Sequence, residues 1–138
     1  MTAFSIYIKF DYEKKLIDGM YESRIINHPS FSGVVHLGKN AYGGYNRITT
    51  AVVHDIRQNY GLRCDALHSN NTAACIKIRL NFATTQLIEG GQYVTRIYKP
   101  SIEMEDMIGE GKSSYISLLN LKNKINKYLT EECDFKLD

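Results

Sequence analysis

Six arginines carry the first chemical signal in this chain. Arg24, Arg47, Arg57, Arg63, Arg79 and Arg96 all fall between residues 23 and 99, as do all four histidines. That stretch holds nine basic residues against three acidic ones, whereas residues 1–22 and 100–138 are each net acidic. A guanidinium is a planar fork suited to phosphate or carboxylate, while an ammonium is a solvated point charge. Segregated arginines therefore say more about an anionic partner than the total charge of +2 does.

The arginines fall on patterned segments. Ile48, Val52, Ile56 and Tyr60 recur every fourth residue, which predicts a helix over about 47–60 with Gly61 as its stop. At 100° per residue, Arg47, Thr50, His54 and Arg57 share an arc of about 80° on the opposite side. In residues 74–82, Ile76, Ile78, Leu80 and Phe82 alternate with Cys75, Lys77, Arg79 and Asn81, the pattern of a half-buried strand. A solvated polar face explains such a stripe as readily as a binding face does, and only the clustering of arginine favours the second. Arg96 and Tyr98, on the following strand, join this set of candidate contacts.

Residues 38–46, GKNAYGGYN, precede the helix and read as a glycine-rich loop. Amides at a helix start attract anions, and glycines let a ligand approach. Lys39 would add charge, and Tyr42 and Tyr45 would stack on bases. The spacing fits neither the G-x-x-x-x-G-K-[ST] nor the G-x-G-x-x-G pattern. A turn whose glycines take positive φ is the structural alternative.

Histidines offer a second chemistry. His28-Pro29-Ser30 resembles one half of the paired H-x-[ST] motif of two-histidine phosphoesterases, but no second copy follows His36, His54 or His68. Any two of those three would serve as a general acid–base pair beside an arginine or Lys39 holding phosphate. Metal and cofactor sites are not expected: Cys64, Cys75 and Cys133 are isolated, and no C-x-x-C, H-E-x-x-H or EF-hand spacing occurs. Arg63 beside Cys64 would lower that thiol's pKa unless the thiol is simply half-buried.

These residues need a scaffold. With 138 residues, 43% hydrophobic and 23% charged, the chain has the length and composition of one globular domain spanning 1–138. Residues 3–11 alternate as a strand. Leu16, Ile17, Met20, Ile25 and Ile26 take helical spacing over 13–27, and Pro29 ends that segment. Short strands are expected at 34–37 and 62–66, and a hairpin on Gly90-Gly91 leads into a strand over 92–99. Residues 101–112 are acidic and glycine-flanked, and read as a flexible connection or lid. A helix over 113–130 follows, capped by Ser113 or Ser114, with Leu118, Leu121, Ile125, Tyr128 and Leu129 on one stripe. Residues 131–138 read as a frayed end.

The sum is an α+β fold: a mainly antiparallel sheet of four to five strands, with two or three helices packed on one face and the other face partly open. No signal peptide or membrane span is evident, and sparse cysteines suit a reducing compartment, so a cytoplasmic location is expected. The leading functional expectation is a non-enzymatic protein that binds an anionic ligand, whether nucleic acid, a nucleotide or an acidic protein surface. Its candidate residues are Lys39, Tyr42, Tyr45, Arg47, Thr50, His54, Arg57, Lys77, Arg79 and Arg96. The alternatives are a viral or mobile-element inhibitor or adaptor of the anti-defence kind, and a histidine-dependent phosphodiesterase or ribonuclease. A homodimer through the last helix or an edge strand is compatible with each.

Overall fold

A computed structural model describes residues 2–28, 30–31, 35–67 and 75–137. Among these, seven strands and two helices follow the order β1 (Thr2–Ile17), β2 (Met20–Ile25), β3 (Val35–Gly38), α1 (Ala41–Tyr60), β4 (Cys64–Leu67), β5 (Cys75–Glu89), β6 (Gln92–Ile97), β7 (Ile108–Gly111) and α2 (Ser114–Glu131). The α+β class and the antiparallel sheet are as expected, but the strands exceed the four to five anticipated.

The sheet runs β3-β2-β1-β5-β6-β7, with β4 also paired to β5. Two long strands organise it. The first part of β1 pairs with β5, from Thr2↔Thr84 to Asp11↔Cys75, and its remainder pairs with β2. On β5, β4 pairs with residues 77–80 and β6 with residues 84–89. Staggered pairing along shared strands lets right-handed twist accumulate, and the sheet curls.

Period two decides the layers. Ile6, Ile8, Phe10, Ile76, Ile78 and Leu80 are buried on one face, where Ile48, Val52 and Ile56 of α1 and Leu121, Ile125 and Leu129 of α2 join them in one cluster. Both helices cover that face. The other carries Ser5, Tyr7 and Lys9 of β1, Lys77, Arg79 and Asn81 of β5, and Asp65 of β4.

Four segments differ from expectation. Residues 13–27 form no helix: β1 continues to Ile17 and turns into β2 through Asp18 and Gly19, both at positive φ (50° and 80°). That is the type I′ geometry of a two-residue Asp-Gly hairpin, which outweighs the helical spacing of Leu16, Ile17 and Met20. Gly90 and Gly91 make the equivalent turn between β5 and β6, as expected. Residues 101–112 are no loose connection, because they hold the short 3-10 turn Ile102–Met104 and strand β7.

The last residues are also held. Phe135 is buried, its N–H donates to the Leu129 carbonyl at 2.9 Å, and Lys9 N–H donates to the Lys136 carbonyl at 3.0 Å. The glycine-rich loop, finally, is mostly helix. Helix α1 begins at Ala41, and the Asn40 side chain accepts a hydrogen bond from Gly43 N–H at 2.8 Å. Gly38, Gly43 and Gly44 all lack positive φ. They are small because backbones meet: a Cβ on Gly38 would come within 2.7 Å of Gly43 Cα.

Candidate anion-binding groove

Helix α1 delivers its polar stripe to one end of the sheet. Arg47, Thr50, His54 and Arg57 are all exposed on it. From Arg47 to Arg57 the helix rises about 15 Å. A shallow depression of about 520 Å³ lies beside its first part, lined by His36 of β3, Arg47, Thr50, His54 and Asp55. Thr50 and His54 also line the next, of about 400 Å³, together with Arg57 and Asp65. Those last two residues carry over into a third, of about 440 Å³, lined by Arg63, Cys64 and Asn81. Arg63 and Asn81 in turn border a fourth, of about 200 Å³, which ends at Tyr98, Lys99 and Ser101. Each shares lining residues with the next, so together they trace a shallow groove from the outer face of α1, around β4, onto the sheet face that neither helix covers.

Asp65 is the junction. Its Oδ1 is 3.8 Å from Arg57 Nη2, and its Oδ2 is 3.7 Å from Arg79 Nη2. Asn81 Nδ2 donates to Oδ2 at 2.9 Å. The strand register sets this arrangement, since Tyr7, Arg79 and Asp65 are directly opposite one another on β1, β5 and β4. Arg57 is fixed separately: its Nη2 donates to the Cys64 carbonyl at 2.7 Å. Exposed ion pairs of such length contribute no more than about 1 kcal/mol each, so this cluster orders side chains without anchoring the fold.

The gap onto the open face arises where β4 ends and β6 begins on β5. Asn81 N–H donates to the Arg63 carbonyl at 3.3 Å, and Tyr98 N–H donates to the Ala83 carbonyl at 2.7 Å. Between these bonds the two neighbouring chains diverge. Gly61, at φ 64°, turns the chain out of α1 there, and a Cβ on it would press on Ser101. Tyr98 is 41% exposed beside the groove, with Lys99 Nζ 5.4 Å from its ring centroid, and Tyr7 is 39% exposed next to Arg79.

The sequence candidates divide accordingly. Arg47, Thr50, His54 and Arg57 line the groove, and Arg79 reaches it through Asp65. Lys77 shares the open face in register with Lys9. Arg96 shares that face opposite Thr85, six residues along β5 from Arg79 and so about 20 Å away; it pairs with Glu89 at 3.3 Å. Lys39 is exposed in the bend before α1, outside the groove. Tyr45 packs against the core, its ring 5.5 Å from that of Tyr12. The side chain of Tyr42, the whole of His68 and the 68–72 turn lie outside the described residues.

His36 and His54 border one depression with Arg47 between β3 and α1. Cys64 is not activated by Arg63. Burial pushes its thiol above the ordinary value, the Arg57 guanidinium pulls it back, and its Sγ donates to the Val53 carbonyl. Arg63, Asn81 and Lys99 complete the groove and lie outside the candidate set, and Tyr98, from the segment that carries Arg96, borders it with them. Arg63 does stand two residues from Asp65, the spacing of one strand face, and that was the available sign.

Among the described residues, no helix is long and apolar enough to cross a membrane, and no group of three His, Cys, Asp or Glu side chains is placed to hold a metal ion. No protein-family model matches the chain, and no curated protein or solved structure shows significant similarity to it.

Proposed function

We propose that this protein binds a single nucleic-acid strand along the groove from Arg47 to Lys99. One observation carries the reading: Arg57 and Arg63, from a helix and from the approach to a strand, line one groove that runs toward the sheet face neither helix covers. Its form also suits a strand. Pockets for small molecules are concave and largely enclosed, whereas this groove is shallow, long and walled by side chains from several elements. Tyr98 and Tyr7 provide exposed rings for unstacked bases, and arginines follow the backbone.

Fluorescence anisotropy with labelled 12-nucleotide RNA, DNA and duplex DNA, at two salt concentrations, tests this. Single strands should bind better than duplex and weaken steeply with salt. Arg63→Ala should lower affinity severalfold and reduce the salt slope by about 0.7, the worth of one single-strand phosphate. An absence of binding at low salt would remove the proposal.

A second reading rests on His36 and His54 beside Arg47: a general acid–base pair that cleaves RNA through its 2′-hydroxyl. The same mixtures on a denaturing gel decide it. RNA cut while DNA stays whole supports cleavage, and bound but intact RNA rejects it.

A further inference from the structure

We propose that the Asp65 carboxylate occupies a phosphate subsite of the groove and gives it up to the ligand's phosphate. This rests on the binding reading above and locates its strongest contact. The geometry is that of an oxyanion site assembled from distant parts of the chain. Two guanidiniums and one amide, from α1 and β5, converge on both oxygens of one carboxylate from β4. Those donor types match the non-bridging oxygens of a phosphate.

The carboxylate fills the site poorly. Charge-assisted N–H···O contacts close to about 2.7–2.9 Å, while both arginines stay 3.7–3.8 Å from Asp65. Asp65 is held back by its own strand, in register with Arg79. A phosphate arriving from the groove has no such tether and can meet both forks at full contact. Two of the three donors are also held by groups other than Asp65. The Cys64 carbonyl fixes Arg57, and Ser5 Oγ donates to Asn81 Oδ1 at 2.9 Å. The site is also reachable, because the Asp65 and Arg57 side chains are each 55% exposed. A phosphate that takes the two arginines must displace the carboxylate or lie against its charge. Asp65 therefore acts as a built-in competitor that raises the threshold for binding.

The test compares Asp65→Asn with the wild type against two probes, a labelled 12-nucleotide RNA and inorganic pyrophosphate. Asp65→Asn keeps the side-chain size and the Asn81 contact while removing the charge. It should tighten both probes by about fivefold, the scale of one exposed ion pair. Asp65→Ser should act in the same direction. Glu131→Gln is the control for charge alone, since Glu131 is exposed at the end of α2, away from the groove. Equal gains from Glu131→Gln and Asp65→Asn would reduce the effect to net charge and overturn the inference. Unchanged or weaker binding by both Asp65 variants, with RNA still bound by the wild type, would overturn it and leave the strand reading standing. Pyrophosphate tightened by Asp65→Asn, with RNA bound by no protein, would keep the subsite and remove the strand. If neither probe binds any protein, both ideas fall.

Discussion

Helices α1 and α2 cover the same face of one sheet, yet only α1 leads anywhere. Each buries a stripe at every fourth residue: Ile48, Val52 and Ile56 on one, Leu121, Ile125 and Leu129 on the other, all fully buried. Each rests its first half on glycines of a strand. Gly38 of β3 meets Gly43 and Gly44 of α1, while Gly109 and Gly111 of β7 meet the backbone of α2 at Ser117 and Leu121. The difference lies beyond the buried stripe. Helix α2 is fastened by polar bonds inside the protein: Ser117 Oγ donates to the Gly109 carbonyl at 2.8 Å, and Ser114 and Gln86 exchange hydrogen bonds at 2.6 and 2.9 Å. On α1 the stripe of Arg47, Thr50, His54 and Arg57 faces outward and ends at Arg57, over the edge strand β4. The same packing rule thus yields a structural helix in one place and a wall of a groove in the other.

The sharpest separation comes from removing a core side chain of α2. Leu121→Ala empties a fully buried position and should cost about 2–5 kcal/mol of stability, read by urea unfolding. The protein that remains folded should bind RNA as the wild type does. A matching loss of affinity would break the distinction between the helices.

Gly44→Ala on α1 should do both kinds of damage. Its Cβ would come 2.8 Å from Ser23 Oγ and 3.2 Å from the Tyr21 carbonyl. Overpacking of this kind costs about 1–3 kcal/mol and would lift the start of α1 from β2 and β3. Arg47 lies within a turn of that contact, so RNA affinity should fall together with the melting temperature. Stability lost with affinity intact would separate the groove from the seating of α1.

How much of this was legible in the sequence follows from the range of the forces involved. Local periodicity revealed the core strands, because Phe4 to Phe10 and Ile76 to Phe82 alternate, and it revealed both helix stripes. The Asp18-Gly19 turn was equally local, but it was masked by apolar residues that also fit a helix. Gly43 and Gly44 read as a loop because glycine costs a helix about 1 kcal/mol per residue. Tertiary packing against Gly38 reverses that preference, and no local window shows it. Gly109 and Gly111 suggested mobility for the same reason, although they are small where α2 lies on them. At the site, residue type and strand parity singled out Arg57 and Arg79. Their meeting at Asp65 depends on which strands pair and in what register, which the sequence does not display.

The two helices do share one point, and acid should find it. His28 is 3% exposed, with its ring 5.3 Å from Phe10, 5.0 Å from Phe31 and 5.3 Å from Phe135. Phe135 follows α2 and packs 5.1 Å from Tyr60, the last residue of α1. His28 Nδ1 accepts the Ser30 N–H at 3.2 Å, which leaves the proton on Nε2, a buried atom. Burial is the largest influence and lowers the pKa of this imidazole, while the charge and the backbone of Asp134 pull the other way. Between the lowered folded value and about 6.5, the unfolded chain binds more protons than the folded one. Stability is therefore complete above about pH 6.5 and falls as the pH drops toward the folded value, by no more than about 1.4 kcal/mol per pH unit. Thermal melts between pH 7.5 and 5.5, spanning that interval, should show this decline in the wild type. His28→Phe, which keeps a ring in the cluster and removes the titrating group, should flatten it. An identical decline in both proteins would assign the acid sensitivity elsewhere. Hydrogen exchange should also locate the opening. The Lys9 and Phe135 amides, which hold the chain end, should lose protection in acid, while the Ser117 amide at the start of α2 should keep its own. That outcome would make the ends of the two helices one cooperative unit and leave the seat of α2 on β7 a separate one.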